Sequence, residues 1–140
     1  MEKLFINYEK FGAMMGALVE EVQKFGEFDL VHAQPRGGLP IGVHISHALD
    51  LMFFPSAIDI RWGLESKKVL IVDDICDTGI TFERLNEYLT CPEAHENKLT
   101  YATLFYKPRS AFKPHIFLEE IPNDTWIVFP WERLDEEPNR

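Results

Sequence analysis

The stretch Val69-Leu70-Ile71-Val72-Asp73-Asp74-Ile75-Cys76-Asp77-Thr78-Gly79-Ile80-Thr81 sets the fold class of this chain. Four consecutive aliphatic residues without polar alternation predict a strand buried on both faces, as in a parallel sheet covered by helices. Two adjacent carboxylates end it. A turn follows with a third carboxylate, two hydroxyls and a glycine, and residues 80–89 then predict a short helix. Backbone N–H groups of residues 77–81, Ile80 included, can converge on one concavity at that helix N-terminus, which is a natural phosphate seat. Gly79 supplies conformational freedom and close approach, and Thr78 and Thr81 add hydroxyl donors.

Asp73 and Asp74 cannot bind a phosphate. They can accept hydrogen bonds from the vicinal hydroxyls of a sugar, directly or through Mg²⁺. The loop therefore predicts a ribose 5-phosphate site, with the phosphate on the amides and the diol on the carboxylates.

Outward from this loop, the chain alternates strands with helices. Residues 8–25 carry Phe11, Met14, Met15, Leu18, Val19, Val22 and Phe25 at spacings of three and four, an amphipathic helix with Asn7 as its N-cap. Leu30–Ala33 reads as a buried strand that meets a loop at Gln34-Pro35-Arg36-Gly37-Gly38. Residues 39–49 read as a helix with Leu39, Val43 and Leu49 on one side, and Phe53–Ile60 as another strand. Leu99–Tyr106, His115–Leu118 and Trp126–Val128 supply three more. This order predicts one α/β domain over residues 1–140, with a mostly parallel central sheet flanked by helices. Ligands in such sheets bind at the carboxyl ends of the strands, where the loops 34–38, 73–81 and 107–114 fall.

Composition narrows the partners. The chain has 140 residues, 46% apolar and 26% charged, with a formal net charge of −9. That balance disfavours nucleic acid, whose phosphates need clustered Lys and Arg. An anionic ligand would be held instead by amides, a few basic side chains and a cation. No apolar run approaches the ~20 residues of a membrane helix, and no targeting segment is recognisable, so a soluble cytoplasmic protein is expected. Cys76 and Cys91 form no metal-binding or disulfide pattern. The five histidines receive no role; His44 and His47 share a face of helix 39–49 and are expected to be partly buried. The Asp135-Glu136-Glu137 run reads as a solvated tail.

The acidic loop resembles the phosphoribosyl pyrophosphate (PRPP) signature of type I phosphoribosyltransferases: an aliphatic strand, two acids, two variable residues, Asp or a small residue, Thr-Gly, any residue, Thr. A receiver domain also has paired acids after an aliphatic strand, but there the pair lies near the N-terminus and lacks the following Asp-Thr-Gly. Pro35-Arg36-Gly37-Gly38 resembles the pyrophosphate loop of the xanthine–guanine subgroup, in which the glycine amides and Arg36 meet the diphosphate. The resemblance implies a non-proline cis bond near Arg36–Gly37. Phe105-Tyr106-Lys107-Pro108 resembles the strand end that offers a lysine to a purine 6-oxo group. Pro122-Asn123-Asp124-Thr125-Trp126-Ile127-Val128-Phe129-Pro130-Trp131-Glu132 is similar to the subgroup's base-binding segment.

Carried over by position, the resemblance implies Lys107 on O6, Trp126 as stacking platform, Ile127 as backbone contact and Asp77 as acid/base partner of the purine N7–H. It also implies Mg²⁺ near Asp73, Asp74 and Glu132, a small hood from the C-terminal segment, and a homodimer or homotetramer. The implied reaction moves a 5-phosphoribosyl group from PRPP to a 6-oxopurine. Two positions depart from the pattern. Glu132 stands where the subgroup has Asp. Only Arg61-Trp62-Gly63-Leu64-Glu65-Ser66-Lys67 occupies the place of the family's long closing loop. That shortening keeps a second class open, a phosphoribosyltransferase-fold nucleotide sensor with little or no turnover.

Overall fold

A computed structural model describes residues 2–132; the acidic run at 135–137 lies outside them. In chain order the elements are β1 (Glu2–Phe5), α1 (Tyr8–Phe25), β2 (Leu30–Ala33), α2 (Leu39–Leu49), β3 (Met52–Phe54) and α3 (Ala57–Gly63). There follow β4 (Lys68–Cys76), α4 (Ile80–Thr90), β5 (Lys98–Tyr106), β6 (Ile116–Glu120) and β7 (Thr125–Val128). Five strands form one sheet in the order β3-β2-β4-β5-β6, and every pairing is parallel. The aliphatic run of β4 is central and fully buried.

The two faces of the sheet carry separate cores. Val31, Ala33, Leu70, Val72, Ala102 and Leu104 face a cluster that includes Met15, Leu18 and Val22 of α1 and Ile41 and Ile45 of α2. Leu30, Val69, Ile71 and Tyr101 face Ile60 of α3 and Phe82, Leu85 and Leu89 of α4. Each such aliphatic side chain contributes about 1.5–3 kcal/mol on leaving water. The predicted N-cap of α1 is in place, with Asn7 Oδ1 accepting from the Lys10 N–H at 2.7 Å.

Alternation reverses where the acids sit. Val72 and Ile75 both face the α1/α2 core, as do the adjacent Leu104 and Phe105 on β5. Register holds through this point: Asp73 opposes Thr103 and Ile75 opposes Phe105. The ladder loses regularity there instead. The Asp74 N–H donates to Asp73 Oδ1, and the Ile75 N–H to Asp74 Oδ1, both at 2.8 Å.

Four sequence expectations need correction. The strand expected over Phe53–Ile60 stops at Phe54, and α3 begins at Ala57. Pro55 cannot donate to a sheet ladder and Ser56 is extended, after which Ile60 turns inward to the α4 side. Second, the segment 61–67, expected to be too short to close over the site, is not all loop: Arg61–Gly63 complete α3. The Arg61 guanidinium lies over the rings of Trp62 (4.7 Å) and Tyr88 of α4 (4.4 Å), and the Ser66 N–H donates to Glu96 O at 2.7 Å. Third, α2 packs through Ile41, Gly42 and Ile45, which leaves Val43, His44 and His47 exposed. Fourth, the hood is not built from the C-terminal segment alone. β7 pairs in parallel with β1, a strand not anticipated, so both ends of the described chain form a separate two-stranded sheet. No helix among the described residues is long and apolar enough to cross a membrane.

Candidate active site

The carboxyl end of β4 delivers Asp73 and Asp74 between two cavities. One, of about 250 Å³, is lined by residues 73–79 with Thr81 and Phe82. The other, of about 710 Å³, is lined by Pro35, Arg36, Gly37, both acids, Trp131 and Glu132. Sequence positions about 40 and 60 residues away from the acids are thus gathered around one pair of carboxylates. Two further hollows, of about 500 and 110 Å³, lie near Asp29 and Lys68 at the amino ends of the strands, away from these loops.

Burial, and after it the neighbouring Asp74 charge, push the Asp73 carboxyl up to about 9. Burial raises Asp74 as well, although hydrogen bonds from Asp73 and the Ile75 amide oppose this. Two half-buried acids side by side favour the proton, or any cation or hydroxyl donor that can replace it. That fits a magnesium-bearing sugar diphosphate. Glu132 lines the same cavity, yet its Oε1 accepts from the Phe129 N–H at 3.0 Å. No group of three His, Cys, Asp or Glu among the described residues is arranged to hold a metal.

The turn expected to seat a phosphate leads directly into α4. Gly79 caps α4 at φ +84°, in the left-handed region open to glycine. The Glu83 N–H is the one that reaches back to Gly79 O, so the amides just before it belong to the turn that has no intrahelical carbonyl. A side chain at Gly79 would meet the Phe112 amide at 2.6 Å, because the 107–112 segment packs against this turn. Ala111 N–H donates to Thr78 O, and the Cys76 thiol lies 3.1 Å from Ser110 Oγ and from Phe112 O. Burial pushes that thiol up, so Cys76 serves packing.

The Arg-Gly-Gly loop rides on β4. Gln34 N–H donates to Val72 O at 3.0 Å, and a side chain at Gly38 would meet Gln34 O at 2.7 Å. The cis peptide is present at Pro35–Arg36, one bond earlier than expected. Arg36 is exposed at the cavity.

Lys107 is buried, and its ammonium meets Asp77 Oδ2 at 3.3 Å. Trp126 is 54% exposed on the hood, whereas Ile127 beside it is buried. The residue that the sequence reading missed is Arg109, which donates to Asp77 Oδ1 through Nε at 2.9 Å and again through Nη2. No local pattern signals a side chain that folds back over 32 positions; a second cation just after the predicted base-binding lysine is the sole hint.

A family model described as a phosphoribosyl transferase domain matches residues 62–136, more than half of the chain. The chain belongs to the phosphoribosyltransferase family. It is 30% identical to a xanthine-guanine phosphoribosyltransferase of Nitratidesulfovibrio vulgaris, across 91% of this chain and 83% of that one. A purine phosphoribosyltransferase structure from Pyrococcus horikoshii is 30% identical with a TM-score of 0.80, covering 94% of this chain and 95% of that one. A xanthine-guanine-hypoxanthine phosphoribosyltransferase structure from Helicobacter pylori is 25% identical with a TM-score of 0.75, covering 94% of each. In this phosphoribosyltransferase the family match spans the acidic loop, Lys107, Arg109 and the hood strand β7, while the Arg-Gly-Gly loop lies upstream of it.

Proposed function

We propose that this phosphoribosyltransferase performs purine salvage, moving the 5-phosphoribosyl group of PRPP to a 6-oxopurine (xanthine, guanine or hypoxanthine) to give the nucleoside monophosphate and pyrophosphate. The single observation that carries this reading is the meeting of the half-buried Asp73–Asp74 pair with the Gly37 loop on one side and the Gly79 turn on the other. The first suits a diphosphate and the second a terminal phosphate, with the ribose hydroxyls on the acids between them. The relatives named for purine substrates support the choice of base.

In this reading the purine N9 forms a bond to the ribose C1 as the bond from C1 to the pyrophosphate oxygen breaks. Positive charge grows on the sugar and negative charge on the diphosphate. The amides of Arg36 and Gly37 and the Arg36 guanidinium stabilise the latter, while the Gly38 N–H donates to Gln34 O at 2.9 Å and holds the loop in shape. Asp77 receives the N7 proton of the purine, Lys107 donates to O6, Trp126 supplies a face for stacking and the Ile127 backbone meets the base edge. Mg²⁺, held by Asp73 and Asp74 through the sugar hydroxyls with Glu132 at the cavity rim, would offset the charge of the leaving group. The protein is expected to act in the cytoplasm as a homodimer or homotetramer.

One observation favours the nucleotide-sensor alternative. The β3-to-β4 connection is helix α3, stacked on α4 through Arg61, rather than a loop able to close over the site. Pyrophosphate release from PRPP and Mg²⁺ with each purine and pyrimidine base separates the two readings. Turnover with 6-oxopurines, reduced about 10²–10⁴-fold in Asp77→Asn, supports the enzyme. Tight nucleotide binding with no turnover supports the sensor.

A further inference from the structure

Asp77 is held by two cations in unequal ways. Oδ1 takes both N–H contacts of Arg109, from Nε at 2.9 Å and from Nη2. Oδ2 takes the Lys107 ammonium alone, at a longer 3.3 Å. A carboxylate oxygen offers two lone-pair positions. Oδ1 is therefore filled, while Oδ2 keeps a position open beside Lys107.

The backbone that carries Arg109 is pinned around it. The Arg109 N–H donates to Asn123 Oδ1 at 3.0 Å, the Ser110 N–H to Lys107 O at 3.0 Å, and the Ala111 N–H to Thr78 O at 2.9 Å. These bonds tie the residue to the segment leading into β7, to the end of β5 and to the phosphate turn. A planar guanidinium on such a support fixes the direction of a carboxylate, which an ammonium does not.

We propose that Arg109 is a positioning residue for Asp77: by filling Oδ1 it sets Oδ2 as the atom that faces the base next to Lys107. This inference rests on the purine-transfer reading. It places one donor (Lys107) and one acceptor (Asp77 Oδ2) side by side, the pair that an adjacent purine carbonyl and ring N–H require. Arg109 touches neither substrate in this account and acts through Asp77.

The test compares wild type, Arg109→Gln and Arg109→Lys, each also in an Asp77→Asn background. It measures kcat and KM for guanine at saturating PRPP, and calorimetric affinity for guanosine monophosphate. Arg109→Gln should lower kcat about tenfold to a hundredfold, and Arg109→Lys should recover little of it. Both effects should vanish in Asp77→Asn. Because Arg109 is half exposed, melting temperature should hardly move. Wild-type kcat in Arg109→Lys would overturn the proposal, since charge alone would then suffice. An undiminished loss in the Asp77→Asn background would overturn it too. Absence of wild-type turnover with every base would contradict the purine-transfer reading instead. The nucleotide affinities would then decide the role of Arg109: a loss in Arg109→Gln that Asp77→Asn abolishes supports it, and equal affinities overturn it.

Discussion

A methyl group on the α-carbon of Gly37 would lie 2.7 Å from the carboxylate carbon of Asp74. The Arg-Gly-Gly loop and the acidic loop therefore meet without a gap, and absence of a side chain at position 37 sets their spacing. Asp74 is not free to swing aside, because its Oδ1 accepts from the Ile75 N–H.

Gly37→Ala should thus displace the Asp74 carboxylate at a cost of about 1–3 kcal/mol. The loss is expected in KM for PRPP, with KM for the base nearly unchanged. Steady-state kinetics with each substrate varied in turn checks this, and an unchanged KM for PRPP would contradict it.

Much of this arrangement was legible in the sequence. Val69–Val72 has no polar residue to compete with a doubly buried strand, and Thr78-Gly79 marks both the turn and the start of α4. The misread part is instructive. Phe53–Ile60 is apolar enough for a strand, but Pro55 followed by Ser56 and an acidic Asp59 also describes a helix start, and the helix formed. β1 has four residues with two charges and gains its place through pairing with β7, more than 120 positions away. Tertiary pairing of this kind leaves no local periodicity. The reversal of alternation across Asp73–Asp74 is equally silent in the sequence, since it depends on the matching irregularity in β5.

Asp73 tests the cost of the site in the empty protein. Its carboxyl is pushed up to about 9 from an ordinary 3.8, chiefly by burial and then by Asp74. The folded chain binds this proton more tightly than the unfolded chain, so the stability it brings is full below 3.8 and is lost as pH rises toward 9. Asp73→Asn should therefore raise the melting temperature of the ligand-free protein at pH 8, with a smaller gain at pH 5. It should also abolish stabilisation by PRPP and Mg²⁺. Differential scanning fluorimetry reads both, and a lower melting temperature at pH 8 would contradict the burial argument.

Histidine burial works in the opposite direction. Burial lowers His32, whose Nδ1–H donates to Phe54 O at 2.7 Å. Burial lowers His115 too, and its Nδ1 accepts from the Tyr101 N–H at 2.9 Å. Each binds a proton more readily when unfolded, so stability falls as pH drops below about 6.5. The double variant His32→Gln/His115→Gln should show a shallower decline in melting temperature between pH 7 and pH 5 than wild type. Parallel declines would show that these two rings do not govern acid sensitivity.

The central claim is that a sugar diphosphate lies on the Asp73–Asp74 pair with its terminal phosphate on the turn at 77–81. Calorimetric titration of PRPP with Mg²⁺ into wild type, Asp73→Asn/Asp74→Asn and Gly79→Val tests it directly. The account predicts saturable binding to wild type that is lost or at least tenfold weaker in both variants. Equal heats in all three proteins, or none in wild type, would contradict it.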